Sequence, residues 1–260
     1  MLNTLLKKLL PVAAIGLGLA ASGCDGVNIS INDTDGVPLS ELDMSGDAPT
    51  KIVIAGPDSV VVTEGDTLTI DVEGDDDAVE AMRFTLEDGT LGITREKNSW
   101  SGKGTATVRV TMPLPEEVTI AGSGSAEIPG LAKNAEITIA GSGKANVAKI
   151  DSDRLEITIA GSGDLTAAGS AKRLDLTIAG SGNGAMDDLK VGDAEISIAG
   201  SGKAAFASDG KVEASVVGSG NVTVYGSADC EISAVGSGKL NCKPSKDDTT
   251  TKSKAKKKKK

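Results

Sequence analysis

The chain of 260 residues contains no histidine and very few aromatic residues. Histidine is the commonest general base and a frequent metal ligand, so its absence excludes most sites that depend on an imidazole. The aromatic side chains are Phe84, Trp100, Phe206 and Tyr225. So few large rings fit a narrow core that is filled by aliphatic side chains.

Common nucleotide-binding and hydrolase motifs are also missing, although the chain has 33 glycines. It contains neither Gly-x-Gly-x-x-Gly nor the Gly-Lys-Ser/Thr ending of a P-loop. It has no Gly-x-Ser-x-Gly elbow, and its serines have no histidine to activate them. These absences exclude the usual phosphate-loop and serine-hydrolase sites.

The glycines are instead concentrated in a short repeat, Ala-Gly-Ser-Gly, whose last two copies begin with valine. The first glycines of the copies, spaced by 18 to 20 residues, are Gly122, Gly141, Gly161, Gly180, Gly200, Gly218 and Gly236. A fixed period near 20 residues is typical of stacked repeats. Leucine-rich repeats share this period, but their Leu-x-x-Leu-x-Leu pattern is missing.

Apolar and polar residues alternate on both sides of each glycine segment, which predicts strand, tight turn and strand in every unit. Units of this size cannot bury a core alone, so they must stack. The sequence therefore predicts an all-β fold, a β-solenoid (parallel β-helix-like) of about seven coils with an N-terminal β-rich cap.

Stacking places equivalent residues in columns about 4.8 Å apart. The inward positions are aliphatic, and two outward columns are chemically uniform. The hydroxyl column, our candidate contact face, is Thr119, Thr138, Thr158, Thr177, Ser197, Ser215 and Ser233. The carboxylate column, a candidate ladder for weak divalent-cation binding, is Glu117, Glu136, Glu156, Asp175, Glu195, Glu213 and Glu231. A solvated acidic stripe is the alternative interpretation of the second column.

Residues 1–23 are predicted to be an export signal, because Lys7 and Lys8 precede an apolar stretch, Leu9–Ala21, that is too short to span a bilayer comfortably. Ala20-Ala21-Ser22-Gly23-Cys24 resembles a bacterial lipobox. That resemblance implies cleavage before Cys24 and lipid on its thiol, with ordinary secretory cleavage nearby as the alternative.

The rest of the chain divides into four predicted segments. Residues 24–50 are a flexible tether, 51–112 a cap with hairpin turns at Gly65-Asp66 and Asp88-Gly89, 113–242 the repeats, and 243–260 a disordered tail. The tail carries nine Lys and two Asp, and residues 1–23 carry two Lys. Because the whole chain has a net charge of −10, residues 24–242 have a net charge of −19. This acidic body argues against nucleic acid as a partner, whereas the tail is predicted to contact anionic lipids or acidic polymers, to fold back, or to stay solvated.

Cys230 and Cys242 lie on either side of the last Gly-Ser-Gly, at positions that are inward and apolar in other units. Two facing cysteines in an exported protein predict a structural disulfide. It would hold the terminal coil, with a contribution of roughly 3 kcal/mol. Nothing nearby would activate a thiolate for redox chemistry.

Three segments in the cap and at its junction with the repeats carry a family resemblance: Ile52-Val53-Ile54-Ala55-Gly56, Asp88-Gly89-Thr90-Leu91-Gly92-Ile93 and Val110-Thr111-Met112-Pro113-Leu114-Pro115. Together with the Gly-Ser-Gly series they resemble the bacterial family called putative auto-transporter adhesin, head GIN domain, over about residues 52–242. The resemblance implies a β-solenoid-like fold and an envelope location, and it brings no catalytic residues.

These observations predict a non-enzymatic β-solenoid of the periplasm or cell envelope, an adhesin or scaffold anchored to the membrane through lipid. Its predicted partners are an envelope polymer or protein and, weakly, a divalent cation; no cofactor is expected. The alternatives are a polysaccharide-active enzyme on the same scaffold and a purely structural envelope spacer. A uniform acidic column favours binding over catalysis, because glycoside hydrolysis needs one singular carboxylate pair.

Overall fold

The structure is a computed structural model that describes residues 35–96 and 104–244. Its first strands are β1 (Lys51–Gly56), β2 (Ser59–Glu64), β3 (Thr69–Gly74), β4 (Met82–Glu87), β5 (Thr90–Arg95), β6 (Ala106–Met112), β7 (Glu117–Gly122) and β8 (Ser125–Gly130). The later strands are β9 (Asn134–Gly141), β10 (Lys144–Gly161), β11 (Asp164–Gly180), β12 (Asn183–Gly200), β13 (Lys203–Ser208), β14 (Lys211–Gly218), β15 (Asn221–Tyr225), β16 (Asp229–Gly236) and β17 (Lys239–Lys243). One short helix, α1 (Asp76–Glu80), joins β3 to β4. None of the helices in the described residues is long and apolar enough to cross a bilayer.

All these strands belong to one sheet that winds around a single core. Equivalent residues of successive coils pair in parallel, for example Glu136 with Glu156 and Gly141 with Gly161. Among the pairings between described strands, only β3 with β6 and β4 with β5 are antiparallel. The predicted β-solenoid of about seven coils is confirmed.

The glycine corners lie directly over one another, and their geometry explains both glycines of each repeat. Gly161 has φ of +123°, and a Cβ there would lie less than 3.0 Å from the carbonyl oxygen of Gly141 in the preceding coil. A Cβ on Gly163 would lie 2.5 Å from Cγ2 of Ile139. The amide of Ser162 donates a hydrogen bond of 2.8 Å to the carbonyl of Gly141, so the ladder continues around the corner.

The core is narrow and aliphatic. Before the corner its columns include Ile120, Ile139, Ile159 and Ile178, which have no exposed surface. Phe206 is equally buried and pairs with Met186 of the preceding coil. A core one side chain wide has little room for rings, as the scarcity of aromatic residues predicts.

The order of coils at the N-terminal end differs from the order of the chain. β1 pairs in parallel with both β5 and β7, and β2 pairs in parallel with both β6 and β8. The coil built from β1 and β2 therefore lies between the β5–β6 coil and the β7–β8 coil. Outside them, β4 and β3 pair antiparallel with β5 and β6. The segment 51–112 thus contributes two stacked coils as well as the strands that cover this end.

The two hairpin predictions in this segment have opposite outcomes. Asp88 and Gly89 form a two-residue turn with φ of +49° and +70°, and Glu87 pairs with Thr90, so this hairpin is confirmed. The hairpin predicted at Gly65-Asp66 is wrong. The strands on either side of it do not pair with each other, because β6 lies between β2 and β3.

At the β1–β2 corner, Pro57-Asp58 replaces the usual Ser-Gly. The side chain of Asp58 accepts hydrogen bonds from Nε of Arg95 at 2.7 Å and from the backbone amide of Ala106 at 2.8 Å. Asp58 and Arg95 are almost completely buried, and hydrogen bonding to Asp58 raises the pKa of Arg95. Because a buried charge without its partner is strongly destabilising, this pair binds the β5–β6 coil to the rest of the solenoid.

Residues 35–50 contact the covered end, although they belong to the predicted tether of residues 24–50. The backbone of Val37 exchanges hydrogen bonds of 2.9 and 2.8 Å with Phe84, and Leu39 and Leu42 pack against the core. This part of the segment is packed on the solenoid and is not a free linker, because its apolar side chains are partly buried there. The predicted export signal, Cys24, residues 25–34 and residues 245–260 of the tail lie outside the described residues.

The predicted disulfide between Cys230 and Cys242 is confirmed. The two residues lie on β16 and β17, with their Cα atoms 6.8 Å apart. In the preceding coil the same positions hold Val212 and Val224, which are fully buried. The bridge therefore joins the two strands of the last coil across the core.

We predict that Gly180→Ala destabilises the protein by more than about 2 kcal/mol, because φ of +124° is strained for alanine and its Cβ would collide with the carbonyl of Gly161. Thermal unfolding followed by circular dichroism measures the effect. Ser181→Ala at the same corner is the matched control and should leave the unfolding midpoint unchanged, since Ser181 is exposed. Equal midpoints for the two variants would contradict the steric explanation of the repeat.

Candidate binding face

The strands that precede the glycine corners form one flat surface, which we call the outer face. It consists of the outward side chains of β7, β9 and β14, the second halves of β10, β11 and β12, and β16. Both predicted columns lie on it in unbroken register. The carboxylates pair from Glu117 to Glu231, and the hydroxyl residues pair from Thr119 to Ser233.

The hydroxyl column is accessible over most of its length but not at its start. Thr119 is 1% exposed, and its Oγ1 has no hydrogen-bond partner among the described residues. The prediction that Thr119 belongs to the candidate contact face is therefore wrong, because a buried side chain cannot contact a ligand. From Thr138 to Ser215 the hydroxyl side chains are partly exposed, and Ser233 is exposed. The available column begins at Thr138.

A third column on the outer face was missed by sequence reasoning. It is formed by the alanine or valine that begins each Ala-Gly-Ser-Gly repeat. No surface role was predicted for this residue from the sequence. Its accessible members are Ala140, Ala160, Ala179, Ala199, Val217 and Val235, the last of which is 70% exposed. Because these side chains are small, the hydroxyl column beside them is not shielded by bulky neighbours.

Basic side chains accompany the carboxylate column, and sequence reasoning missed them too. Arg154 forms ion pairs with Glu156 at 3.3 Å and with Asp175 at 3.0 Å. Arg173 continues this pattern with Asp175 at 3.3 Å and Glu195 at 3.6 Å. The signal was present in the sequence as Arg-Leu-Glu and Arg-Leu-Asp, because residues two apart on a strand share a face. The column is thus a mixed-charge stripe and not a purely acidic one.

Glu136 is the member of the carboxylate column whose pKa the structure shifts. Partial burial raises its pKa above the ordinary value, and the charges of Glu117 and Glu156 on the neighbouring coils raise it further. Asn134 stands beside Arg154 in the register, so this coil lacks the basic residue found in the next one. A weak hydrogen bond from Thr138, 3.4 Å long, offsets only part of this effect.

The structure does not test the prediction of weak cation binding along the column. Among the described residues, no group of three or more cysteine or acidic side chains is arranged to hold a metal ion. The arginines that pair with the carboxylates compete for the same oxygen atoms. Cation binding therefore stays a prediction.

One groove in the described part of the chain lies away from the outer face. It has a volume of about 500 Å³ and lies at the covered end, between the segment around Leu39 and the elements β3, α1 and β4. Val72, Val79 and Phe84 form part of its apolar lining. None of the predicted site residues lines it.

We predict that Glu136→Gln stabilises the protein at pH 7 by about 0.5 kcal/mol after solvent screening is allowed for, because it removes a charge that burial and two like charges disfavour. A raised pKa means that the folded chain binds this proton more tightly than the unfolded chain. The destabilisation therefore grows as pH rises through the titration of Glu136 and vanishes in acid. At about pH 3 the variant and the parent chain should unfold at the same temperature.

The matched control is Glu127→Gln, which removes the same charge from an exposed position on β8. It should change the unfolding temperature little at either pH. A result in which both substitutions stabilise equally would assign the effect to net charge and not to the column.

Several solved structures share this architecture. A putative adhesin of Bacteroides fragilis is 22% identical with a TM-score of 0.67, and the match covers 76% of this chain and 92% of that one. A putative lipid binding protein of Parabacteroides distasonis is 24% identical with a TM-score of 0.58, and the match covers 75% of this chain and 93% of that one. At these identities the similarity shows a common fold. No curated protein matches the sequence.

The family resemblance noted in the sequence is tested by a family model. The model of the family described as putative auto-transporter adhesin, head GIN domain, matches residues 48–228, which is well over half of the chain. The match begins just before β1 and ends just before β16, so it includes the stacked coils on both sides of the Pro57-Asp58 corner. The chain therefore belongs to the head GIN domain family of putative auto-transporter adhesins.

Proposed function

We propose that this protein is a non-enzymatic adhesin of the cell envelope and that the outer face is its contact surface. The family description and the names of similar structures support a binding role. The uniform columns support it as well, because binding can use the same group many times, whereas catalysis requires one singular constellation.

The observation that carries the proposal is the unbroken register of the hydroxyl column from Thr138 to Ser233. Its six members, one per coil, extend over roughly 24 Å at the spacing of stacked strands. A ligand that lies along the solenoid axis would meet a hydroxyl and a carboxylate at every coil. An extended polymer with regularly spaced hydrogen-bonding groups fits this surface better than a compact small molecule.

The net charge of the protein limits the kinds of polymer that can bind to the outer face. Residues 24–242 carry a net charge of −19, and the carboxylates of the outer face are only partly paired with arginine. An acidic polymer would be repelled by this field. We therefore expect a neutral or amine-bearing polysaccharide, whose hydroxyl and amino groups donate hydrogen bonds to carboxylate oxygens.

Co-sedimentation with insoluble polysaccharides tests the contact surface. Chitin, chitosan, cellulose and peptidoglycan sacculi are the probes, and the purified exported chain should bind at least one of them. Thr177→Lys should weaken that binding about tenfold, because it places a long charged side chain in the middle of the hydroxyl column. Thr166→Lys is the matched control, since Thr166 is an exposed threonine on the same strand, β11, but beyond the corner from the outer face.

Three results would contradict the proposal. Equal loss of binding in the two threonine variants would remove the outer face as the contact surface. Failure of the parent chain to bind any probe would favour a structural spacer. Release of soluble sugar, abolished by one acidic substitution, would favour the polysaccharide-active enzyme.

We further propose that the chain is held at the membrane by lipid on Cys24. The segment Ala20-Ala21-Ser22-Gly23-Cys24 supports this attachment through its likeness to a lipobox. Mass spectrometry of the protein isolated from its producing cell should show an N-terminal diacylglyceryl-cysteine. Cys24→Ala should move the protein from the membrane to the soluble fraction, and an unmodified N-terminus elsewhere would contradict the anchor.

A further inference from the structure

The last coil, formed by β16 and β17, leaves the end of the solenoid open in the part of the chain that the structure describes. β16 pairs with β14, β17 pairs with β15, and neither has a described strand on its other edge. Three core positions of this coil, Ile232, Ala234 and Cys242, are exposed as a result. Ile232 is 41% exposed, whereas Ile196, two coils earlier in the same column, is fully buried.

The opposite end is built differently. There β3 and β4 pair antiparallel with the outermost coil, and the helix α1 with the segment around Leu39 packs against the core. An open edge with exposed apolar side chains invites pairing with another strand, and solenoids usually protect it. The end at β16 and β17 has the features of a surface that another chain covers.

We propose that the occupant is a second copy of this chain, which meets the first with its own last coil. The two copies are related by a twofold axis through the corner at Ser237. β16 and β17 extend to the two sides of this corner, so the rotation lays β16 of one copy antiparallel on β17 of the other. Each copy then supplies the strand that the other lacks. The inference does not depend on the proposed function, since it uses a different surface.

The side chains of the last coil fit this arrangement in one register. Rotation about Ser237 places Ala234 opposite Leu240 of the partner subunit and Ile232 opposite Cys242 of the partner subunit. All four positions point towards the core, so the apolar column continues from one copy into the other. A shift by one residue would place core positions opposite outward positions and is therefore excluded.

The charged residues of β16 and β17 favour the same pairing of the two copies. In the proposed register Glu231 lies opposite Lys243 of the partner subunit, and the symmetry makes this contact twice. If each strand instead paired with its own copy, β17 on β17, Lys239 would lie opposite Lys243 of the partner subunit. Like charges directly opposite each other destabilise a strand pair, whereas opposite charges stabilise it. The opposing charges are therefore complementary when β16 of one copy pairs with β17 of the other.

Sedimentation equilibrium of the purified exported chain tests the proposal. The measurement is made at physiological ionic strength, where repulsion between the two lysine-rich C-terminal segments is screened beyond about 8 Å. The parent chain should show a reversible monomer–dimer equilibrium. Ala234→Asp should weaken dimerisation at least about tenfold, because it places two carboxylates in the interface.

Val217→Asp is the matched control for this substitution. Val217 is 50% exposed, but it lies on the outer face of β14, one coil before the last, where its side chain does not point into the open edge. The control should dimerise like the parent chain. Both variants should unfold at the temperature of the parent monomer, since both positions are already exposed to solvent.

A charge exchange tests the register itself. Glu231→Lys should weaken dimerisation, because it sets two lysines against each other at both symmetric contacts. The double variant Glu231→Lys with Lys243→Glu should restore it to within a fewfold of the parent. A parent chain that stays monomeric up to about 100 µM, or a dimer that Ala234→Asp leaves intact, overturns the proposal. Failure of the double variant to recover overturns the register.

Discussion

The hydrogen bond from a serine amide to the glycine carbonyl of the preceding coil is the interaction on which the rest of the structure depends. It is 2.8 Å long between Ser162 and Gly141, and it recurs at equivalent corners along the repeat. It brings the backbones of successive coils so close that neither glycine can carry a side chain. This contact fixes the alignment of the coils, and every column inside and outside the solenoid follows from it.

Because the coils are aligned, a residue type that recurs at one position of the repeat forms a continuous column on the surface. A threonine at one position becomes a row of hydroxyl groups, and a glutamate becomes a row of like charges. Partial burial, together with repulsion within this row, raises the pKa of Glu136. Arginines two residues earlier in the strand, as at Arg154 and Arg173, offset part of that repulsion. Such a surface offers regular spacing and repetition of the same groups in place of a pocket.

The features that could be predicted from the sequence are those with local signals. The glycine period, the alternation along each strand, the Asp88-Gly89 turn and the pairing of the two late cysteines all rest on short segments of sequence. The position of the β1–β2 coil could not be predicted, because Lys51 pairs with Thr90 and Glu117 and no local pattern selects those partners. The Asp58–Arg95 pair joins residues 37 apart, and it could not be predicted either, because no local pattern identifies such partners. The arginines beside the carboxylates were visible in the sequence, but only if alternate residues are considered together.

The position of the β1–β2 coil between two others determines where this architecture can change in length. Both edges of that coil are already occupied, by β5–β6 on one side and by β7–β8 on the other. Neither of these neighbours follows it directly in the chain, so a duplicated unit could not be inserted there between consecutive coils. Beyond β7 each unit presents the same corner and the same columns to both neighbours, so a unit of 18 to 20 residues can be gained or lost without disturbing either end. Evolution of the outer face in this family is therefore expected to proceed by changing the number of central repeats.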